Sequence, residues 1–450
     1  MKTFANVDFI REITEAKCSS FSSQILAENC LGISTDTRTL KRGEIFLALE
    51  GENFNGHDFL DNAFEKGAIA SIVNEKYSNL INKNFPILQV KNTLEAYQKI
   101  AQWWRQNLGL PVIGVTGSVG KTTTKELISA VLKTQGKVLK TEANYNNEIG
   151  VPKTLLQIDE TDNYAVIEMA MRGKGQIALL TEIAQPNIGV ITNVGTAHIG
   201  LLGSREAIAE AKCELLANMD NSGVAIINGD NDLLVATATK VWTGETITYG
   251  LKSGNFRGEL INDSTLKVDN QLYPLPLLGE HNALNYLGAI ATAKVLGLDL
   301  TLLQQGIEVN LPKGRAKRYS LPNDILVLDE TYNAGYESML ASLKLLAQTD
   351  GKRKIAVLGT MKELGDYAPI LHRQVGETIK ELNLDLVLIL ADEEATKQIA
   401  EGANGIPSQI YSNHKDLISA LQNITQEGDR ILFKASNSVG LSKVVEVFIN

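Results

Sequence analysis

The sequence predicts an α/β protein built on parallel sheets, and three observations carry that expectation. From Leu110 onward, short apolar runs alternate with helix-patterned segments, the rhythm of a sheet covered on both faces. The same rhythm resumes after a basic stretch at 312–318, whose proline and glycine mark a boundary near 312. Apolar residues fill 44% of 450 positions, which suits a globular chain of two to four domains.

Composition removes several function classes. Net charge is −9 with no long basic run, which argues against a general nucleic-acid binder and leaves room for an anion in a local basic pocket. Cys18, Cys30 and Cys213 have neither metal-type spacing nor a disulfide pattern, as expected in a reducing cytosol. The first residues lack a signal-peptide core, and no apolar run reaches the roughly 18 residues of a membrane span. The expectation is a soluble, acidic, cytoplasmic protein.

Residues 1 to about 85 read as a small unit. Strands are expected at 44–49 and 68–73, with a helix at 59–66. Its polar segments carry Ser34, Asp36, Arg38 and His57. These residue types can grip a sugar or a diphosphate, and they equally suit a solvated hairpin with His57 as a surface or capping residue. A helix around 93–108 carries Trp103 and Trp104, read as packing the first unit against the second; a platform for a base is the alternative.

Expected strands of the central unit are 111–116, 137–140, 164–169, 187–194 and 224–228. The first runs into Thr116-Gly117-Ser118-Val119-Gly120-Lys121-Thr122 and then a helix. Strand, glycine turn and helix form the context of a phosphate-binding loop, with backbone N–H groups and the helix N-terminus facing an anion. Lys121 would reach terminal phosphates and Thr122 would ligate Mg²⁺. Val115 stands where the usual motif has its first glycine, so the loop is a shorter variant.

Ligands of such sheets bind beyond the strand C-termini. Glu168 ends one strand there and suits Mg²⁺. His198 ends another, and a hydrogen-bonded buried histidine is the plain alternative. On the next helix, capped by Ser204, Lys212 falls within the stripe of Ile208, Leu215, Leu216 and Met219, whereas Glu206, Glu210 and Glu214 point away. Either its stem is buried and the amine snorkels, or burial tunes a functional amine. Residues 246–276 read as an insertion or edge hairpin. Asn282 and Asn285 share a face of a helix running to Leu296; an asparagine amide can pair with adenine, or serve as a cap. Arg315, in the 312–318 cluster, can touch a nucleotide across a domain junction, or simply be solvated. Strands are expected again at 325–329, 354–359, 385–390 and 430–434, ending in polar segments with Asp329, Asn333 and Lys434.

Taken in order, the Thr-Gly-x-x-Gly-Lys-Thr-Thr loop, Glu168, Asn-Val-Gly-Thr-Ala-His, Ala-Lys-x-Glu, His-Asn-x-x-Asn and Gly314-Arg315 resemble the Mur ligases, ATP-dependent amide-forming enzymes of peptidoglycan assembly. The resemblance covers nearly the whole chain. It implies a small α/β N-terminal domain at 1–109 that binds a UDP-sugar nucleotide, and a central P-loop ATPase-type parallel sheet at 110–312. A C-terminal Rossmann-like domain at 313–450 would close on ATP and bind the incoming dipeptide. Residues 329–334, Asp36-x-Arg38, 56–59 and 358–365 with His372 are similar to the branch that adds D-alanyl-D-alanine to UDP-N-acetylmuramoyl-tripeptide. Gly335-Tyr336 replaces that branch's usual Asn-Pro.

The resemblance further implies residue roles. Residues 116–122 with Asn282, Arg315 and Asp329 would hold ATP. Thr122, Glu168 and His198 would hold two Mg²⁺ ions, joined by Lys212 as a CO₂-derived carbamate, as in related ligases. Lys121, Glu168, His198 and Lys212 would serve catalysis. Ser34, Asp36 and Arg38 would hold UDP, Asn144 and Asn147 the muramoyl-peptide, and Asn333 and Lys434 the dipeptide. The chain is expected to act as a monomer on small molecules, without nucleic acid or membrane span. A nucleotide-gated binding ATPase, or a Mur ligase with another acceptor, is the alternative.

Overall fold

The computed structural model describes residues 4–19, 22–80 and 85–450, and its three main sheets follow one another along the chain. The first has five strands in the order Lys17–Ser19, Ile87–Val90, Ala70–Asn74, Ile45–Leu47 and Ile33–Ser34, antiparallel at the first pairing and parallel thereafter. Helix Thr93–Gln106 then leads to the second unit, its first turn capped by Asn92 Oδ1, which accepts from the N–H groups of Leu94 and Glu95.

That helix is a bracket between the two units. Trp103 and Trp104 pack on Phe4, with ring centroids 5.4 and 4.6 Å away, so the tryptophans serve packing as expected. Trp104 Nε1 donates to the Ile158 carbonyl at 3.2 Å. The buried Arg105 guanidinium donates to the carbonyls of Ala184, Gln185 and Leu108 and to Asn187 Oδ1, at 2.8 to 3.0 Å.

The central sheet has nine strands: Val138–Lys140, Tyr164–Glu168, Val112–Thr116, Ile188–Ile191, Val224–Asn228, Glu245–Gly250, Phe256–Asn262, Thr265–Val268 and Gln271–Pro274. Pairing is parallel through Phe256–Asn262 and antiparallel beyond it. The segment expected as an insertion or edge hairpin forms the edge of the main sheet, its last strands paired antiparallel. Its reason is a buried face: Tyr249, Phe256, Leu266, Val268 and Tyr273 share one core with Ala283, Tyr286 and Leu287 of helix Glu280–Val295.

The third sheet orders Lys317–Leu321, Ile325–Asp329, Asp429–Lys434, Arg353–Gly359, Leu386–Leu390 and Ser408–Tyr411, parallel except for its first pair. The basic stretch 312–318, expected as a domain boundary with a solvated linker as the plain reading, runs into strand Lys317–Leu321. This is an edge strand with alternate residues exposed, so its outward charges mask the pattern. The central and third units meet backbone to backbone: the Gly200 N–H donates to the Glu363 carbonyl at 3.2 Å, and a Cβ on Gly200 would lie 2.5 Å from the Gly365 nitrogen.

Candidate active site

The phosphate loop is clamped from below by the end of the neighbouring strand. Gly117 adopts φ 153°, and a Cβ there would sit 1.9 Å from Thr192 Oγ1. Thr192 Oγ1 donates to the Val119 carbonyl at 2.6 Å. Asn193 grips the same residue twice, donating from Nδ2 to its carbonyl and accepting its N–H at Oδ1, both at 3.0 Å. The Ser118 N–H donates to the Asn193 carbonyl, and Ser118 Oγ accepts from the Gly195 N–H at 2.9 Å. Gly120, at φ 83°, opens helix Lys121–Leu132, with Asn285 Oδ1 2.8 Å from where its Cβ would lie. Lys121 Nζ folds back onto the carbonyls of Gly117 and Ser118, at 2.8 and 3.3 Å. Burial lowers its pKa from the usual lysine value, and the Glu168 carboxylate works the other way. Thr116 faces away, its hydroxyl donating to the Met169 carbonyl at 2.9 Å.

Glu168 ends strand Tyr164–Glu168 and is 2% exposed. Its Oε1 accepts from Asn146 Nδ2 at 2.7 Å, whereas Oε2 is buried without a hydrogen-bond donor, with Lys125 Nζ 3.8 Å away. A buried carboxylate oxygen lacking a donor beside the phosphate loop fits a hard cation such as Mg²⁺, and the buried Thr122 hydroxyl fits the same ion. His198, at φ 66°, begins helix Ile199–Leu202, and its Nδ1 lies 2.5 Å from Glu363 Oε2 of the third unit. That pairing holds the Glu363 carboxyl below its usual pKa.

Lys212 sits on helix Arg205–Ala217, with Ser204 capping and Ile208, Leu215 and Leu216 buried as expected. Glu210 pairs with Lys174 at 2.8 Å, and Glu214 accepts the N–H groups of Gly175 and Ala178. Lys212 is 1% exposed and has neither hydrogen bond nor ion pair among the described residues. Burial, and then the Lys121 ammonium, push its pKa well below the usual lysine value, toward the free amine.

These parts surround a cleft of about 890 Å³. The central unit contributes residues 118–122, Glu168, His198 and Asn282, and the third unit faces them with Arg315, Glu330, Asn333 and Lys434. Asn144 and Asn147 also line the cleft. The Arg315 guanidinium lies 4.0 Å over the Tyr332 ring, and its Nε has no hydrogen-bond partner. Lys434 Nζ donates to the Asn333 carbonyl at 3.1 Å; burial lowers its pKa and raises that of Glu330, each opposed by the other's charge. Asn282 Nδ2 donates to the Leu278 carbonyl at 2.8 Å.

Known proteins match this chain along its length. Residues 30–105 match the Mur ligase family catalytic domain, 115–293 the Mur ligase middle domain, and 314–437 the Mur ligase glutamate ligase domain. UDP-N-acetylmuramoyl-tripeptide–D-alanyl-D-alanine ligase of Synechocystis sp. is 55% identical over 443 residues, covering 96% of this chain and 97% of that protein. The chain belongs to the Mur ligase family. The Bacillus subtilis enzyme of the same name is 37% identical, over 93% of each chain. Among solved structures, MurF from Acinetobacter baumannii superposes with a TM-score of 0.87 at 29% identity, covering 99% of this chain and 98% of that one. The MurF ligase of Thermotoga maritima in complex with ADP gives 0.82 at 29% identity, covering 93% and 96%.

In this Mur ligase some expected residues stand apart from the cleft. The Asp329 carboxylate is turned into its own loop, where Oδ1 accepts from the N–H and hydroxyl of Thr331 at 3.1 and 2.6 Å; Glu330 lines the cleft instead. Successive residues at a strand end face opposite ways, and the sequence does not say which faces in. Ser34, Asp36 and Arg38 lie on the first unit and do not line this cleft. Arg38 pairs with Asp36 at 2.7 Å, holding its carboxyl down to about 2, and Ser34 Oγ donates to the Asp36 carbonyl at 3.1 Å. Lys212 is also absent from the lining.

Two histidines of the Mur ligase prove structural. His57, expected as a surface or capping residue, is buried and caps backbone: Nε2 accepts the Asn74 N–H at 3.0 Å and Nδ1 meets Asn55 Oδ1 at 2.7 Å. His372 likewise accepts the Met361 N–H, at 3.0 Å, and steadies the segment that carries Glu363. Sequence reasoning missed Asn146, Asn193, Glu330 and Glu337. Asn193 sits in the Asn-Val-Gly-Thr-Ala-His motif and Asn146 between the expected Asn144 and Asn147, so those neighbours were their one signal.

Proposed function

We propose that this chain uses ATP to join D-alanyl-D-alanine to the C-terminal carboxylate of UDP-N-acetylmuramoyl-tripeptide. One observation carries the reading: a single cleft whose phosphate loop comes from one domain and whose Arg315 and Lys434 come from another, in a chain with full-length ligase relatives. The domains are taken as 1–109, 110–312 and 313–450. The loop N–H groups and Lys121 hold the β- and γ-phosphates once Lys121 leaves the carbonyls of Gly117 and Ser118. Arg315 approaches from the third domain, and Asn282 offers its amide oxygen to the adenine. Asp329 supports this wall through Thr331, and Asn333 and Lys434 face the dipeptide.

The tripeptide carboxylate oxygen bonds to the γ-phosphorus while the bond to ADP breaks, giving an acyl phosphate. The dipeptide amine then bonds to the acyl carbon, phosphate leaves with the C–O electrons, and the amine gives up a proton. Positioning and charge neutralisation supply most of the catalysis in such transfers. Thr122, Glu168 and His198 are the residues that would hold Mg²⁺, which neutralises phosphate charge when bound. Lys212 fits carbamylation: its lowered pKa favours the nucleophilic free amine, and a carbamate anion would offset the nearby Lys121 charge. Asn144 and Asn147 are assigned to the muramoyl-peptide, and Ser34, Asp36 and Arg38 to UDP on the first domain. No described helix is long and apolar enough to cross a membrane; the reading places the enzyme, as a monomer, in the cytoplasm with its ATP.

The test measures phosphate release and amide formation against a panel of UDP-muramoyl-peptides, amino acids and dipeptides. Turnover is expected only with the tripeptide and D-alanyl-D-alanine together. Phosphate release indifferent to both would sink the reading.

A further inference from the structure

The segment from Val194 to His198 is held by the central and the third domain at once. Its Gly195 N–H donates to Ser118 Oγ in the phosphate loop, at 2.9 Å. The next N–H, of Thr196, donates to Glu337 Oε1 at 2.7 Å, and the Thr196 hydroxyl lies 3.2 Å from Glu337 Oε2. Glu337 belongs to the third domain, in the first turn of helix Tyr336–Gln348. Its carboxylate fits because residue 195 has no side chain: a Cβ there would lie 2.5 Å from Glu337 Cδ. Two consecutive amides therefore tie the nucleotide loop to the third domain, two residues before His198.

We propose that Glu337 is a positioning residue that couples domain closure to the phosphate loop through the Gly195–Thr196 peptide. The proposal rests on the ligase reading for its chemistry, since closure keeps water from the acyl phosphate. The bond joins a carboxylate to a backbone N–H, the stronger class of hydrogen bond. Losing it weakens closure by roughly tenfold or more.

The experiment compares Glu337→Ala, Glu337→Gln and Gly195→Ala in the full chain, by X-ray scattering with and without ADP and by phosphate released per amide formed. ADP is expected to compact the wild type, and both alanine variants are expected to lose most of that compaction. In turnover they should release several phosphates per amide, with kcat falling far more than KM for ATP rises. Glu337→Gln keeps an acceptor for the Thr196 N–H and should recover most of both readouts. Combining Gly195→Ala with Glu337→Ala should add little to either alone, because both attack one contact. Wild-type compaction and stoichiometry in Glu337→Ala would overturn the proposal, as would a Gln variant as impaired as Ala. The scattering arm needs no reaction, so a wild type that forms no amide would defeat the ligase reading and leave this test standing.

Discussion

Gly117→Ala offers the most direct test of how the phosphate loop is held. The added methyl would lie 1.9 Å from Thr192 Oγ1 and 3.1 Å from its Cβ, at a φ of 153° that suits glycine. Thr192 must turn away and release the Val119 carbonyl, which keeps its second donor, Asn193 Nδ2. Overpacking costs about 1–3 kcal/mol and the lost hydrogen bond about 1. The sum, about 2–4 kcal/mol, corresponds to roughly 30- to 1000-fold weaker ADP binding where the loop must be ordered to bind. Titration calorimetry with ADP measures this, and denaturant unfolding separates it from global stability. Thr192→Ala removes the clashing oxygen and alone costs about 1 kcal/mol or less. The double variant should therefore bind ADP more tightly than Gly117→Ala, with a coupling of at least about 1 kcal/mol. Gly173→Ala, where a Cβ meets nothing within 4 Å, is the control. Wild-type affinity in Gly117→Ala, or a double variant showing the full sum of both losses, would refute the steric account.

Three other outcomes follow from the same geometry. Arg105→Met removes three bonds between helix Thr93–Gln106 and the central domain, and a fourth to the Leu108 carbonyl, and should cost about 2–4 kcal/mol of stability by urea unfolding. Lys212→Met replaces a buried amine that has no hydrogen bond or ion pair among the described residues by an apolar side chain of similar length; activity should fall roughly a hundredfold or more while stability holds or rises by about 1–2 kcal/mol. Burial pushes His281 down to about 4 and lowers His57 and His372 as well. Each is neutral when folded and takes a proton when unfolded below about 6.5. Their stabilisation is thus complete above that pH and declines as pH falls below it, for His281 down toward about 4, and His281→Gln should flatten the decline in unfolding midpoint between pH 6.5 and 5.

Much of this was legible before any coordinates. Strands with strictly apolar bodies, such as Val112–Thr116 and Ile325–Asp329, were found to within a residue because burial on both faces leaves a continuous run. Lys212 was found because a helix places it inside an apolar stripe. Lys317–Leu321 was not, since an edge strand keeps charges on its open side. Glu330 and Glu337 were beyond reach for another reason. Their roles depend on which way a strand end turns and on how two domains dock, and neither leaves a periodic mark in the chain. For His57 the surface and capping readings stayed open because a backbone N–H supplied by Asn74 carries no side-chain signature.

The seam at Gly200 and Gly365 has a thermal consequence. Beside that backbone contact, Val194 and Ile199 of the central domain share one buried cluster with Met339, Met361 and Leu364 of the third. Shutting the cleft therefore removes apolar surface from water as well as making hydrogen bonds, and such burial carries a negative heat-capacity change and weakens on cooling. The balance between shut and open enzyme becomes a function of temperature. Nucleotide binding measured from 5 to 35 °C should show its enthalpy growing more negative with warming, by more than contact with ADP alone requires. In the cold, the enzyme spends more of its time open.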